Sequence, residues 1–408
     1  MTRKCHRLTA LLLCCALLIS AGCAAAEKTV TVTFTGDCTL GSEESTRADQ
    51  YSFDSVAARE GYDYFFANFR DLFEKDNITF INFEGVLSDS KAQESQRKRY
   101  RFRGQSDFVK ILTGSSVELA GVANNHIGDY GKQGEETTKQ ILEEAGVEWA
   151  QESKYYIFEK DGIKIAFFAL HNKWLNSNFE KFKQMILRMK QTGEVNAIVA
   201  TWHTGKEYRG AHESGKISTE STAKRMIQYG VDVLMMHHPH VLQGIDIANN
   251  RTICYSLGNF VFGGNDEIRT EKFLIDKTVT SLYSMVTQVK LTFGDDGTYL
   301  GQQVTLYPTY TSSGGPFHET ILNNYQPYRA NAEEAVPIRE AIQIDTKFDL
   351  PKITTDSEGL SKIEMPYLPA FEGAMIPESD GEEDLLASGP QGVPEAASAA
   401  PTRDNKSN

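Results

Sequence analysis

Cysteine is scarce in the part of this 408-residue chain that can form a domain. Four of the six cysteines lie within the first 23 residues, and only Cys38 and Cys254 lie beyond them. Two distant thiols exclude a small, densely cross-linked disulfide scaffold. A disulfide between them cannot be deduced from the sequence. Two buried free thiols are the favoured interpretation, because unpaired cysteine behaves as a small apolar residue.

Positive charge is also in short supply. The chain has 42 Lys and Arg against 55 Asp and Glu, so its net charge is −13. This balance excludes general nucleic-acid binding. No internal repeat is present. The apolar stretch at residues 8–19 is too short to span a bilayer comfortably.

Residues 1–23 have the features of an export signal. Basic residues precede the apolar stretch, and small residues lead from it to Cys23. This ending resembles a bacterial lipoprotein signal, although Ser20 stands where leucine is usual. We therefore predict that Cys23 carries lipid and anchors the protein to the outer face of the bacterial cytoplasmic membrane. The alternative is a secreted protein that is cleaved near residues 24–26.

Strand-like and helix-like segments alternate through residues 28–310, which we interpret as the main domain. The clearest predicted helices are residues 134–146, 179–189 and 219–230. Alternation at this spacing indicates βαβ units and a largely parallel sheet.

The character of the sequence changes after this region of alternation. Residues 285–293 and 299–307 alternate apolar and polar side chains around a Gly-Asp-Asp-Gly turn, which predicts a closing β-hairpin. Residues 311–350 form a C-terminal extension with one short predicted helix at 337–344. Residues 351–408 are rich in Pro, Glu, Asp, Ser and Ala and predict a low-complexity, mostly disordered acidic tail.

Six apolar runs end abruptly in polar side chains suited to metal binding. These side chains are Asp37, Glu84, Asn125 with His126, His171, His203, and His238 with His240. Ligands bind outside the carboxyl ends of the strands in open α/β sheets. Carboxylate, amide and imidazole groups at that edge suit Mn, Fe or Zn. The sequence therefore predicts a site for one or two divalent ions and leaves the metal's identity open.

The strongest single signal is His238-Pro239-His240. Two histidines at this spacing lie on one side of an extended segment, and Pro239 indicates that the segment has passed the end of the strand. His237 would then point away from the ligand set. A lone buried histidine is more often a satisfied core group, a strand-end carboxylate also suits a helix N-cap, and asparagine suits a turn. The shared position at strand ends favours metal binding over these alternatives.

Eight short motifs carry a family resemblance. They are residues 36–41, 82–85, 101–104, 123–126, 129–131, 203–208, 238–241 and 255–260. Together they resemble the capsule synthesis protein CapA family, which is associated with poly-γ-glutamate synthesis and lies within the calcineurin-like metallophosphatase superfamily. The resemblance implies an α/β fold, a four-layer α/β/β/α sandwich of the metallophosphatase type. It also implies polyglutamate, an anionic polymer, and membrane synthase subunits as partners.

The resemblance assigns roles to individual residues. One metal would be held by Asp37 and His240, the other by Asn125, His203 and His238, with Glu84 between them and His126 as a proton donor. Two positions depart from the superfamily pattern. Thr39 stands where the first motif usually has histidine, and Glu84 stands where aspartate usually bridges. These departures bring phosphoester hydrolysis into doubt, although metal binding is still expected.

Residues 91–103 form a strongly basic stretch in an acidic protein. Arg101 and Arg103 fall in a family-like motif and are candidate ligands of the polymer or of a phosphate. Glu207 and Tyr208, from another such motif, are further candidate substrate-binding residues. The alternative for the stretch is a solvated face with its aromatic side chains directed inward.

Three functions therefore stay open. The first is an extracytoplasmic, metal-dependent hydrolase or transferase that acts on the polymer. The second is a non-catalytic subunit that binds the polymer or a membrane synthase. The third is an anchored phosphoesterase or nucleotidase, which the altered first motif disfavours.

Overall fold

The computed structural model describes residues 27–152, 154–263, 279–313 and 323–373. The predicted export signal with Cys23, and the tail from residue 374 onward, lie outside the described residues. Within the described ranges, no helix has both the length and the apolar character needed to cross a membrane.

The regular elements follow one another along the whole described chain. The strands are β1 (Lys28–Thr39), β2 (Ile78–Phe83), β3 (Val86–Leu87), β4 (Arg103–Gly104), β5 (Leu119–Gly121), β6 (Glu148–Ala150), β7 (Tyr156–Lys160), β8 (Ile163–His171), β9 (Ala197–His203), β10 (Val233–His237), β11 (Ile245–Ala248), β12 (Arg251–Cys254), β13 (Asn259–Phe262), β14 (Tyr283–Phe293), β15 (Tyr299–Tyr310), β16 (Tyr328–Arg329), β17 (Thr354–Thr355), β18 (Ser361–Glu364) and β19 (Leu368–Pro369). The α-helices are α1 (Phe53–Glu60), α2 (Arg70–Phe73), α3 (Val109–Thr113), α4 (Gly131–Glu144), α5 (Asn172–Thr192), α6 (Thr219–Tyr229) and α7 (Ala335–Ile344).

Two large sheets dominate the described residues. The larger has the strand order β17-β18-β15-β14-β1-β2-β5-β6, with β13 paired to β1, and β16 and β19 paired to β15. The smaller has the order β11-β12-β10-β9-β8-β7. The larger sheet contains a series of three parallel strands, β1, β2 and β5. The smaller sheet contains a series of four, β8, β9, β10 and β12. Within each series the strands therefore end at one edge of their sheet.

The two sheets pack face to face because alternate side chains of their strands enter one shared core. Phe34 and Phe80 of the larger sheet are buried there with Ile165, Phe167 and Val199 of the smaller sheet. The rings of Phe80 and Phe167 lie 5.7 Å apart, edge to face. This contact joins the centres of the two sheets.

Helices cover the outer faces of both sheets. The intervening side chains of β8, such as Phe168, pack with Phe182 and Ile186 of α5. Ile81 of β2 is buried on the other side of the molecule with Leu142 of α4. The order of layers is therefore α/β/β/α, which confirms the predicted fold class.

Most of the predicted helices and the hairpin lie close to observed elements. Helices α4, α6 and α7 overlap the segments predicted at 134–146, 219–230 and 337–344. Helix α5 already begins at Asn172 and includes non-helical backbone at Asn178, so the prediction for 179–189 covered only its later part. Strands β14 and β15 pair antiparallel along their length, as the alternation around the Gly-Asp-Asp-Gly turn indicated.

Cys38 and Cys254 are free and buried. Cys38 lies in the outer core under the helices of the larger sheet, whereas Cys254 lies in the core between the sheets. The two thiols therefore occupy different layers, as expected of cysteines that serve as small apolar residues.

Residues 351–373, which the sequence analysis assigned to the tail, add short strands to the larger sheet. Strand β18 pairs with β15, and β19 pairs with another part of β15. Ile363 and Met365 are buried in the core between the sheets. A few apolar side chains suffice for this, because a neighbouring strand edge satisfies the backbone of the added segment.

Shortening Ile363 to valine is expected to lower the free energy of unfolding by about 1 kcal/mol, because a buried methyl group is lost from the core. Chemical denaturation of the purified protein measures this change. Lys362→Ala in the same strand is the control, since Lys362 lies only partly buried beside Ile363. Equal stability of wild type and the Ile363 variant would show that this strand does not dock onto the core in solution.

Candidate metal centre

A bulge near the end of β1 directs Asp37 into the site. Phe34 points into the core between the sheets, whereas Cys38 packs under the outer helices. The register between β1 and β2 shifts between Phe34 and Asp37, so that Asp37 lies opposite Asn82. Residue 36 has to be glycine for the backbone at residue 258 to pass this close, because a Cβ on it would lie 2.4 Å from the Gly258 carbonyl oxygen. Without this shift, strict alternation would send Asp37 to the outer face.

Glu84 follows the end of β2 and is fully buried. Its backbone N–H donates to the Cys38 carbonyl at 2.7 Å, and its carbonyl accepts from the Thr39 hydroxyl at 2.9 Å. Neither carboxylate oxygen has a hydrogen-bond partner among the described residues. Instead, Oε1 faces the Nε2 atoms of His203 at 3.6 Å and of His126 and His240 at 3.8 Å. Glu84 is thus held by its backbone while its carboxylate points into a ring of imidazoles.

The smaller sheet presents three histidines in register. His171, His203 and His237 end β8, β9 and β10 and lie side by side across the sheet. His203 donates from Nε2 to Asn125 Oδ1 at 2.7 Å and faces the Asn82 amide at 3.3 Å through Nδ1. The ends of strands from both sheets therefore meet around His203.

His238 and His240 reach the site by a route that differs from the extended segment we predicted. Their φ angles are +101° and +57°, in a region that residues other than glycine rarely adopt. The His238 N–H donates to Asp37 Oδ2 at 3.2 Å, and His240 donates from Nδ1 to Asn259 Oδ1 at 2.9 Å. A tight turn, rather than alternation along a strand, brings both histidines to the site.

His237 also contacts Asp37, with its Nδ1 3.0 Å from Oδ1. The amide of Asn82 donates to the same oxygen at 2.8 Å, and His240 Nδ1 lies 3.3 Å from the other oxygen. Asp37 is thus surrounded by nitrogen atoms on both oxygens.

Burial and local charge set the protonation of these groups. Burial opposes ionisation of Asp37, but the nearby imidazoles of His237 and His240 hold its pKa well below the ordinary value. Burial raises the pKa of Glu84 well above its ordinary value, and the charge on Asp37 adds to this rise. Burial would lower the pKa of His240, but Glu84 and Asp37 raise that pKa to about 10.

His203 and His238 behave differently. Burial lowers the pKa of His203 well below its ordinary value, and the neighbouring His238 lowers it further. Burial and the charge on His240 lower the pKa of His238 to about 4. Both imidazoles are therefore neutral at pH 7, which is the form that ligates a metal.

His126 lies beside these groups, and Asp129 orients its imidazole ring. Its Nδ1 donates to Asp129 Oδ2 at 2.7 Å, which leaves Nε2 directed toward Glu84. Asp129 is fully buried and also accepts from Lys98 and from the Phe102 N–H. This arrangement fixes which ring nitrogen of His126 faces the site.

The donors satisfy the spatial requirement for cation ligation. Ligand atoms of Glu84, His238 and His240 lie within 4.8 Å of one another, as do those of Asp37, Glu84 and His203. Glu84 belongs to both groups, so one carboxylate can serve two cations. Mixed oxygen and imidazole ligands suit divalent transition metals.

Comparison with known proteins assigns the chain to a family. The profile of the family described as bacterial capsule synthesis protein PGA_cap matches residues 31–264, which contain every candidate ligand named above. This chain belongs to that family.

Individual relatives share about a third of their aligned residues with this chain or fewer. It is 26% identical over 257 residues to the capsule biosynthesis protein CapA of Bacillus anthracis, a match covering 57% of this chain and 60% of that protein. It is 30% identical over 230 residues to the PGA biosynthesis protein CapA of Bacillus subtilis, covering 51% of this chain and 59% of that protein. The matches therefore span about three fifths of these relatives.

Solved structures that resemble this chain have lower sequence identities than these relatives. A novel phosphatase from Mycoplasma pneumoniae has a TM-score of 0.41 and 12% identity, over 69% of this chain and 95% of that one. A hypothetical protein from Thermus thermophilus has a TM-score of 0.40 and 10% identity, over 68% and 99% of the respective chains.

The candidate substrate-binding residues fall into two groups, one beside the metal centre and one away from it. Glu207 raises the pKa of both Glu84 and His240 by its charge, although burial and nearer groups have larger effects. The Tyr208 ring centroid lies 6.0 Å from that of His240. Glu207 and Tyr208 therefore border the site.

The two arginines are bound elsewhere within the fold. Arg101 donates to Glu94 at 2.8 Å, and the buried Arg103 donates to Glu44 at 2.8 Å and to the Ser88 carbonyl. Their guanidinium groups thus brace the basic stretch, and contact with a polymer stays a prediction.

Sequence reasoning missed several residues that shape the site. Asn82 and Asn259 position Asp37 and His240, and Asp129 with Lys98 positions His126. Three of these four lie within the family-like motifs and could have been found there. Lys98 lies in the basic stretch, where nothing local indicates an inward-pointing side chain.

Proposed function

We propose that this chain binds one or two divalent cations at the candidate metal centre and acts on an anionic poly-γ-glutamate polymer during capsule synthesis or export, as a hydrolase or transferase. The family assignment and the names of the two CapA relatives support the polymer. The ion would be Mn, Fe or Zn. We further propose that the protein works outside the cytoplasm, anchored through lipid on Cys23, near membrane synthase subunits.

The state of Glu84 carries the metal proposal. Its carboxylate is fully buried, has no hydrogen-bond partner among the described residues and faces three imidazoles. An isolated buried carboxylate is strongly disfavoured unless a cation or hydrogen bonds compensate it. His240, whose pKa is raised to about 10, brings one positive charge, but it faces the two carboxyl groups of Glu84 and Asp37. Neutral His203 and His238 add no charge but can share a cation with Glu84. The donor set therefore fits a divalent metal.

The cation and the residues around it would have different roles in the reaction. A divalent cation bound there supplies Lewis-acid polarisation of a substrate oxygen. Asp129 accepts from His126 Nδ1 and so directs Nε2 to the site, where Nε2 can take up a proton and pass it to a leaving group. Exposed Glu207 and half-buried Tyr208 lie near His240, where they can contact a bound substrate.

A second candidate is a non-catalytic subunit that binds the polymer or the synthase. One observation favours it. Thr39 stands where the superfamily resemblance implies a histidine ligand, and its hydroxyl is used to hold the Glu84 backbone. In this case the metal would serve to stabilise the fold, and polymer binding would not require chemistry.

His126→Asn separates the two candidates. For a hydrolase or transferase, we expect turnover of poly-γ-glutamate by the metal-loaded protein to fall by about a hundredfold, the usual effect of removing a general acid. Metal content, measured by mass spectrometry, should stay at the wild-type level. His171→Asn is the control, because His171 ends the neighbouring strand β8 outside the ligand groups.

The alternative results are equally clear. Wild-type protein that carries metal but leaves the polymer unchanged supports the non-catalytic subunit, provided that polymer binding survives His203→Ala. Purified wild-type protein that takes up no Mn, Fe or Zn contradicts the metal proposal for both candidates.

A further inference from the structure

The loop between β9 and α6, residues 204–218, carries Glu207 and Tyr208 beside the metal centre. The Tyr208 N–H donates to the Pro239 carbonyl at 2.8 Å, so the loop lies against the turn that presents the histidines. Tyr208 has a φ of +58°, which a residue other than glycine keeps only where neighbouring contacts hold it. The shape of this β9–α6 loop therefore depends on what anchors it.

Asp345, which directly follows α7 in the C-terminal extension, provides an anchor. Its Oδ2 accepts from the His212 N–H at 3.1 Å and from His212 Nδ1 at 2.7 Å. The same oxygen accepts from the Gly244 N–H at 2.8 Å. One carboxylate oxygen thus joins the middle of the β9–α6 loop to the segment that follows His240.

This anchor is buried and closely packed. The side chains of His212 and Asp345 are 6% and 9% exposed. The His212 ring stacks on that of Tyr255, with centroids 3.7 Å apart and planes 7° from parallel. A Cβ at Gly244 would lie 2.0 Å from the Asp345 carbonyl oxygen, so the two backbones are in direct contact. Hydrogen bonds to a charged group in such surroundings are stronger than those at a surface.

The next two residues of the extension contact other points. Thr346 Oγ1 accepts from the Ile245 N–H at 3.0 Å. Lys347 pairs at 2.6 Å with Glu220, which lies in the first turn of α6. Of these three neighbours, Asp345 is the one whose contact reaches into the β9–α6 loop. It lies outside residues 31–264, which the family profile matches.

We infer that Asp345 is a positioning residue for the substrate side of the metal centre. Through His212 it holds the β9–α6 loop in the shape that places Glu207 and Tyr208 beside the cation ligands. The C-terminal extension thereby completes the site. The inference rests on the proposed function for its substrate, but the order of the loop can be measured without substrate or metal.

Asp345→Ala removes the anchor. We expect amide hydrogen exchange in residues 205–212, measured by mass spectrometry, to become about tenfold faster, because the loop opens more often. The affinity of the metal-loaded protein for a short γ-linked glutamate oligomer, measured by calorimetry, should fall about tenfold, because binding must then order the loop. Metal affinity should stay close to the wild-type value, because His240 is held by Asn259.

Two further variants separate loop positioning from general stability. Asp345→Asn keeps an acceptor oxygen in the same place, so it should restore most of the loop protection and oligomer affinity. Thr346→Val is the matched control, because it removes the bond to Ile245 from the adjacent residue and leaves the loop contact in place. Denaturant titration of all three variants checks that they fold.

Several results would overturn the inference. They are unchanged loop exchange in Asp345→Ala, faster exchange with unchanged oligomer affinity, an equal loss in Thr346→Val, and no recovery in Asp345→Asn. A parallel fall in metal affinity overturns it as well, since Asp345 would then act on the cation ligands. If wild-type protein binds no γ-linked oligomer, the proposed substrate is rejected, and loop exchange in the three variants alone decides whether Asp345 positions the loop.

Discussion

Glu84→Gln is expected to weaken divalent-metal binding by about a thousandfold while leaving the metal-free protein at least as stable as wild type. The two effects have one cause. The carboxylate is buried with no hydrogen-bond partner among the described residues, and it belongs to both groups of candidate ligands. Removing one partner of a buried charge pair costs about 4 kcal/mol, equivalent to roughly a thousandfold in affinity. Without metal, burial raises the pKa of Glu84 well above its ordinary value and so favours the neutral acid, which glutamine replaces with another neutral group.

Calorimetric titration with Mn²⁺ or Zn²⁺ and thermal unfolding in chelator measure the two effects. Glu94→Gln is the control, because Glu94 makes an ordinary ion pair with Arg101 in the basic stretch. Wild-type metal affinity in the Glu84 variant would contradict the site. A marked loss of metal-free stability would show that Glu84 is satisfied by protein groups rather than by a cation.

Gly36→Ala is expected to lower the free energy of unfolding by about 3 kcal/mol and to weaken metal binding at least tenfold. An added Cβ would lie 2.4 Å from the Gly258 carbonyl oxygen and 2.8 Å from the Asn259 carbonyl carbon, both backbone atoms. Such overpacking has to be relieved by moving a strand. Strand β13 starts at Asn259, which holds His240, so the displacement reaches the metal ligands.

Gly128→Ala is the matched control for this substitution. Nothing lies within 4 Å of a Cβ at Gly128, so the change adds a methyl group in open space and should leave stability nearly unchanged. Denaturant titration gives the stability of both variants, and calorimetry gives the metal affinity. If both alanine variants behave alike, the close approach of β1 and β13 is not a feature of the folded protein in solution.

Much of the fold could be predicted because its signals are local. Runs of apolar residues marked β2, β8, β9 and β10, and the hairpin of β14 and β15 follows from alternation around one turn. The short strands after residue 350 escaped prediction, because Ile363 and Met365 are isolated apolar residues in a polar context. Their burial depends on an open strand edge that a distant part of the chain provides.

The candidate site shows the same division. The strand ends indicated which side chains would lie near His203, since parallel strands end at one edge, and the structure places Asn125 and Glu84 beside it. Nothing local predicted that Arg103 would be buried against Glu44, because a basic stretch gives no sign of its partner.

The sequence by itself determined which side chains stand at the ends of strands, among them Glu84 and His203, because strand length and apolar pattern are properties of short segments. Only the tertiary structure decided which of them face one another. The bulge at Gly36 turns Asp37 inward, and a turn with positive φ brings His238 and His240 beside it. Both depend on the packing of one sheet against the other, and a side chain's direction relative to a core exists only once that core has formed.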